Sequence, residues 1–110
     1  KDVIICGGEN IYPVQIEDFL RIHAAIKDVA VIGLPDHRLG EIAAAIIELK
    51  AGFSATENDM AVFCEALPRY KRPRRIIFDT VPRNPTGKIE KPKLREQYCH
   101  GSLIEAQTES

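Results

Sequence analysis

Lys88 stands directly after Gly87 in the stretch PRNPTGKIEKPKLRE, residues 82–96. Pro82, Pro85 and Gly87 stiffen the loop that leads to it, and a helix-like run begins a few residues later. A solvated surface lysine needs no such frame. A lysine that must arrive at a defined point on a substrate does, and a compact cation on a long stem suits an anionic centre. Two other stretches carry residues with chemical potential. Gly7-Gly8 sits inside VIICGGENIYP, and the basic run RYKRP spans Arg69 to Pro73. Taken alone, the glycines make a hairpin turn with no ligand needed, and a charge run is a solvated face.

Charge is distributed unevenly behind these stretches. The 110 residues carry a formal net charge of −1, so the whole chain points to neither a nucleic acid nor a membrane surface. Residues 69–95 nevertheless hold ten of the fifteen Lys and Arg, with only Asp79 and Glu90 as acids. That segment is about +8 and the remainder about −9, a local field that favours an anionic ligand. Cys6, Cys64 and Cys99 show no metal-type or paired spacing and read as free thiols of a reducing, cytoplasmic compartment. His23, His37 and His100 are equally scattered, and His23 reads as a packed or capping residue. No metal site is expected. No apolar run nears the length of a membrane span, and no signal peptide is visible.

The elements that must position these residues are legible in outline. VIICGGENIYP predicts a strand, a Gly-Gly turn and a short return. Pro13 opens a helix over about 14–25, with Ile16, Phe19, Leu20 and His23 on one face and Glu17, Asp18 and Arg21 pointing away. VAVIGLP, 29–35, reads as a buried strand, followed by the polar loop DHRLGE. IAAAIIELK, 42–50, suits helix or strand; its flanking loop signals and its ability to pair with 29–34 favour strand. Ser54 or Thr56 caps a second helix near 57–66, with Met60, Phe63, Cys64 and Leu67 inward. RRIIFDTVP is a third strand. Pro92 suits the first turn of a terminal helix over about 91–98. The tail 101–110 is polar and reads as frayed. At 110 residues with 45% apolar content, one domain with a real core is expected. The fold class is α+β: a small central sheet of about three strands plus an N-terminal two-stranded hairpin, with helices packed on it.

KDVIICGGENIYPVQIED, VIGLPDHRLGE, LPRYKRP and PRNPTGKIEKPKLRE together resemble, in this order, the C-terminal domain of the acyl-CoA synthetases of the adenylate-forming superfamily. The resemblance covers residues 1 to about 98. It implies a mobile C-terminal domain over 1–100, with a large N-terminal domain that this chain lacks. The chain starts with Lys1-Asp2 and reads as a piece of something longer. The reaction implied has two steps. A carboxylic acid attacks the α-phosphorus of ATP, releasing pyrophosphate, and the CoA thiol then displaces AMP. Magnesium would accompany ATP, held mainly by the N-terminal domain. The small domain rotates between the steps and offers a different face to each.

The resemblance also assigns roles residue by residue. Lys88 would be the adenylation lysine. Gly7 and Gly8 would line the pantetheine passage, where bare backbone lets a thin chain slide past. Tyr70, Lys71 and Arg72 would meet the CoA nucleotide, and Lys1 would be the hinge. Many relatives carry Trp where Leu39 stands, and Leu39 cannot stack on adenine. Two alternatives remain open: an adenylation enzyme that loads a carrier protein, and, more distantly, a basic nucleic-acid-binding module. The acid activated is not legible, because its pocket lies on the other domain. An isolated fragment is expected to be inactive.

Overall fold

The structure is a computed structural model in which residues 2–99 are described. Lys1 and the tail 101–110 lie outside the described residues. Strands β1 (Ile4–Cys6) and β2 (Glu9–Ile11) form the N-terminal hairpin, and helix α1 (Pro13–Leu20) follows. β3 (Ile26–Asp36) and β4 (Gly40–Leu49) form a long antiparallel hairpin. α2 (Glu57–Phe63) continues into a 3-10 turn over Cys64–Ala66, and a second such turn covers Arg69–Lys71. β5 (Arg75–Phe78) and a terminal helix α3, 91–99, complete the described chain.

All five strands join one mixed sheet. β4 is its centre: β3 lies antiparallel along one side, and β5 runs parallel along residues 44–47 of the other. The N-terminal hairpin is attached where Cys6 of β1 pairs with Gly40. The β3–β4 pair is buried on both faces, as its near-continuous apolar sequence requires. Val29, Val31, Ala43, Ala45 and Ile47 face one core with Ile16, Leu20, Met60 and Cys64 of the α1 and α2 segments. Ala30, Ile32, Leu34, Ala44 and Ile46 face the other, where Leu94 of α3 and Val81 close the layer. Small alanines in the middle of β4 let helices approach both faces of the sheet.

Two local expectations are revised and a third is narrowed. α1 ends at Leu20, well short of residue 25. Tight turns take over, with Ile22 N–H donating to Phe19 O and His23 N–H to Leu20 O. The reason is tertiary: Ile26 must already be extended to pair with Leu49. His23 therefore leaves the helix, accepts the Ala25 N–H on Nδ1 and packs edge-on against Phe63. Glu17 does not point into solvent; it is 6% exposed. Its carboxylate accepts the Val31 N–H at 2.9 Å, while Arg21 donates to Val29 O. Glu17 and the C-cap residue Arg21 occupy the free edge of β3, where backbone groups otherwise lack strand partners. At α2, Thr56 rather than Ser54 is the cap, in a reciprocal capping box with Asp59.

Candidate functional site

The Lys88 loop is built on Asn84. The Asn84 side-chain oxygen accepts three hydrogen bonds, from the N–H of Thr86 (3.0 Å), the hydroxyl of Thr86 (2.7 Å) and the N–H of Lys88 (2.9 Å). Backbone bonds from Asn84 N–H to Lys88 O and from Gly87 N–H to Asn84 O close the turn. Gly87 sits at φ +88°, a conformation that glycine adopts without strain. An Arg83–Ile89 bridge zips the stem. The loop is then bolted to the sheet: Arg83 donates to both carboxylate oxygens of Asp28, from Nε at 2.7 Å and Nη2 at 3.0 Å, and its Nη1 donates to Gly87 O. Burial pushes the Asp28 carboxyl up, but the Arg83 and Val29 hydrogen bonds and the Arg83 and Arg21 charges outweigh it. The carboxyl is held below its ordinary range. Ile89 turns inward and Lys88 outward. Among the described residues, no acid pairs with the Lys88 ammonium.

The Gly7-Gly8 turn stands elsewhere. Cys6 and Glu9 pair across it, and both glycines have positive φ (+58° and +86°), as a two-residue primed turn demands. Gly7 N–H donates to Leu39 O at 2.9 Å, so this turn lies against the β3–β4 turn. There Asp36 accepts the N–H groups of Leu39 and Arg38, which hold its carboxyl below its ordinary range. Leu39 packs toward the first core, and a Cβ on Gly7 would come within 3.2 Å of it. Its position therefore has a packing job beside the turn.

The basic turn 69–71 packs beside β2. Tyr70 is half-exposed, with the Lys71 ammonium 5.7 Å from its ring centroid. Arg72 is tied to the backbone beside it. Its guanidinium donates to Leu67 O (3.0 Å) and Glu65 O (2.9 Å), capping the preceding turn. Two donors are thus committed to the backbone, and the residue holds Tyr70 and Lys71 in place as much as it faces outward.

The two groups of residues lie at opposite ends of the β3–β4 hairpin. Arg83 ties the Lys88 loop to Asp28, near the start of β3. Gly7 is hydrogen-bonded to the turn just past its end, at Asp36. Eight residues of strand separate these anchors, roughly 26 Å. The structure therefore gathers Gly7, Gly8 and Leu39 at one end and places Lys88 at the other. Sequence reasoning missed Asn84, Arg83 and Asp28. Asn84 carried a signal, since Asn before a Pro-x-Gly turn is a known turn-builder; the Arg83–Asp28 pair, 55 residues apart, carried none. Among the described residues, no group of three or more His, Cys, Asp or Glu is gathered to hold a metal ion, and no helix is long and apolar enough to cross a membrane.

Residues 15–88 match the family described as AMP-binding enzyme C-terminal domain. A long-chain-fatty-acid–CoA ligase, FadD13 of Mycobacterium tuberculosis, is 50% identical over 100 residues, which is 89% of this chain and 20% of that protein. The putative acyl-CoA synthetase YngI of Bacillus subtilis is 50% identical over 99 residues, 88% of this chain and 18% of its own. Among solved structures, a Mycobacterium tuberculosis fatty acyl CoA synthetase superposes with a TM-score of 0.85 at 48% identity, covering 91% of this chain and 20% of that one. ATP-bound MatB from Rhodopseudomonas palustris gives 0.84 at 35% identity, over 90% and 20%. The chain spans about a fifth of the length of the relatives it matches.

Proposed function

The chain belongs to the AMP-binding enzyme C-terminal domain family, and from that premise we propose that it is the small, mobile domain of an ATP-dependent acyl-CoA ligase. A large N-terminal domain would hold the acid pocket and most of the nucleotide site. The name of one relative, the long-chain-fatty-acid–CoA ligase of Mycobacterium tuberculosis, favours a fatty acid as the carboxylic acid. The observation that carries the reading is the two-ended geometry: a rigidly framed lysine, paired with no acid among the described residues, at one end of the sheet and a bare glycine turn at the other.

In the first step, a carboxylate oxygen attacks the α-phosphorus of ATP and pyrophosphate leaves. Negative charge gathers on the entering carboxylate and the α-phosphoryl oxygens. The Lys88 ammonium, carried on a loop fixed by Asn84 and Arg83, meets that charge as it develops, which lowers the barrier more than it tightens ground-state binding. In the second step, the domain rotates about the hinge at Lys1, and the Gly7-Gly8 turn lines the path of the pantetheine arm. The CoA thiol attacks the acyl carbonyl and AMP leaves. Tyr70 and Lys71 then lie toward the CoA nucleotide, on a turn that Arg72 holds. Magnesium would accompany ATP, held mainly by the larger domain.

The test is Lys88→Ala in the full-length enzyme. Adenylation should fall by roughly a hundred- to a thousandfold, while thioester formation from supplied acyl-adenylate is spared. Equal loss of both half-reactions overturns the two-ended account.

A further inference from the structure

The Lys88 loop runs directly into α3, whose first residue is Lys91. A cation in a helix's first turn opposes the helix dipole, so the helix itself does not account for Lys91. Its surroundings do. Lys91 Nζ lies 2.7 Å from Glu17 Oε2 on α1 and 2.6 Å from Asp2 Oδ2, with its side chain only 15% exposed. The same Glu17 oxygen accepts the Val31 N–H of β3. Arg95, one turn along α3, reaches the other Asp2 oxygen at 3.2 Å. One lysine, three residues after Lys88, therefore joins α3, α1, the edge of β3 and the chain's path into β1.

We propose that Lys91 is a positioning residue for adenylation, setting where the Lys88 loop stands relative to the sheet and to Asp2. This rests on the role given to Lys88 above. The loop has two stems. Arg83 clamps the first to Asp28, and the backbone bond from Glu90 N–H to Pro82 O carries the second straight to Lys91. With both stems held, the loop has one orientation on the sheet. With the second released, it pivots about the Arg83 clamp, and the ammonium at its tip moves furthest. Displacement of a reacting group by about 1 Å costs up to a hundredfold in rate. Asp2 adjoins the hinge residue, so the same lysine also makes the loop turn as one piece with the chain that leads into the domain.

In the full-length enzyme, Lys91→Met should lower the adenylation kcat about ten- to a hundredfold. The KM for ATP and thioester formation from supplied acyl-adenylate should be retained. Lys91→Arg, which keeps a cation between Glu17 and Asp2, should restore most of the rate. Lys91→Met leaves the Glu17 charge buried and unpaired, which could unfold the protein. The double variant Glu17→Gln/Lys91→Met removes both charges, keeps an acceptor for the Val31 N–H, and should show the same selective loss. Lys88→Ala is measured in parallel. If Lys88→Ala spares adenylation, the role of Lys88 itself fails. If Lys88→Ala is selectively defective while the folded double variant adenylates at the wild-type rate, or loses both half-reactions equally, the positioning role of Lys91 is overturned.

Discussion

A lysine without a frame is a weak catalyst, and at the residue scale the frame here is Asn84. Its single oxygen gathers three donors and so fixes the direction in which Lys88 leaves the loop. Asn84→Ala should lower adenylation about tenfold, consistent with losing preorganisation rather than the charge itself. The loop is exposed, so the cost in global stability should stay near 1 kcal/mol. Pyrophosphate exchange read beside thermal unfolding checks this; a large stability loss with intact exchange would contradict it. Gly8 poses the converse problem. A Cβ there meets nothing within 4 Å, yet φ is +86°. A bulky Leu would be strained by the backbone before it obstructs any ligand. Gly8→Asn separates the two effects, because Asn tolerates the left-handed region. The variant should fold and adenylate normally and be slow only in transfer to CoA. A folded Gly8→Asn enzyme with wild-type transfer counts against the pantetheine passage.

Among the elements, β3 does the most for the site. Its paired edge builds the sheet, and its free edge is occupied by Glu17 and Arg21. Asp28, near its start, anchors the Lys88 loop. Because the folded Asp28 carboxyl is held below its ordinary value, its stabilising contribution is fully present above the unfolded carboxyl's titration. It is lost as pH falls through the lowered folded value. Asp28→Asn should therefore be less stable than wild type at neutral pH, and the two proteins should converge in acid. Denaturant midpoints measured from pH 7 downward test this, and a gap that widens in acid would reverse the sign. The capping box of α2 belongs to the same scale. Thr56→Ala should cost about 1 kcal/mol and leave both half-reactions unchanged, since Thr56 bonds within α2 to Asp59.

The whole molecule is a sheet covered on both faces, and the second face depends on α3. Leu94, 1% exposed, is the side chain through which α3 closes the second core. Leu94→Ala should cost about 2–5 kcal/mol, and because α3 continues the Lys88 loop, adenylation should fall with it. The domain has two apolar cores of its own, so it should fold in isolation. It should not release pyrophosphate from ATP and any carboxylic acid, because the proposed function puts the nucleotide pocket on a larger domain. Pyrophosphate release by the purified domain would refute that division of labour.

What the sequence determined by itself was mostly local. The β-branched run at 29–35 announced a buried strand, and 42–50, whose alanines also suit a helix, reads as its partner from the loop signals on either side. Two adjacent glycines announced a primed turn, and the Pro-x-Gly frame announced a presented Lys88, because φ restrictions act within a few residues. The resemblance of four ordered stretches carried the family. Tertiary structure decided the rest. Glu17 reads as solvent-facing from helical periodicity, and only the arrival of β3 and Lys91 makes it a buried anchor. The basic run around Arg72 reads on its own as a solvated face, and only the folded turn shows two of its guanidinium donors committed to the carbonyls of Glu65 and Leu67. The helix expected to reach residue 25 yields at Leu20 because pairing with β4 outweighs local propensity. The parallel placement of β5 and the roughly 26 Å between Lys88's anchor and the glycine turn follow from topology. Hydrophobic period reports whether a residue is buried, but it does not report beside which distant residue it is buried, and ion pairs across the chain are set by that.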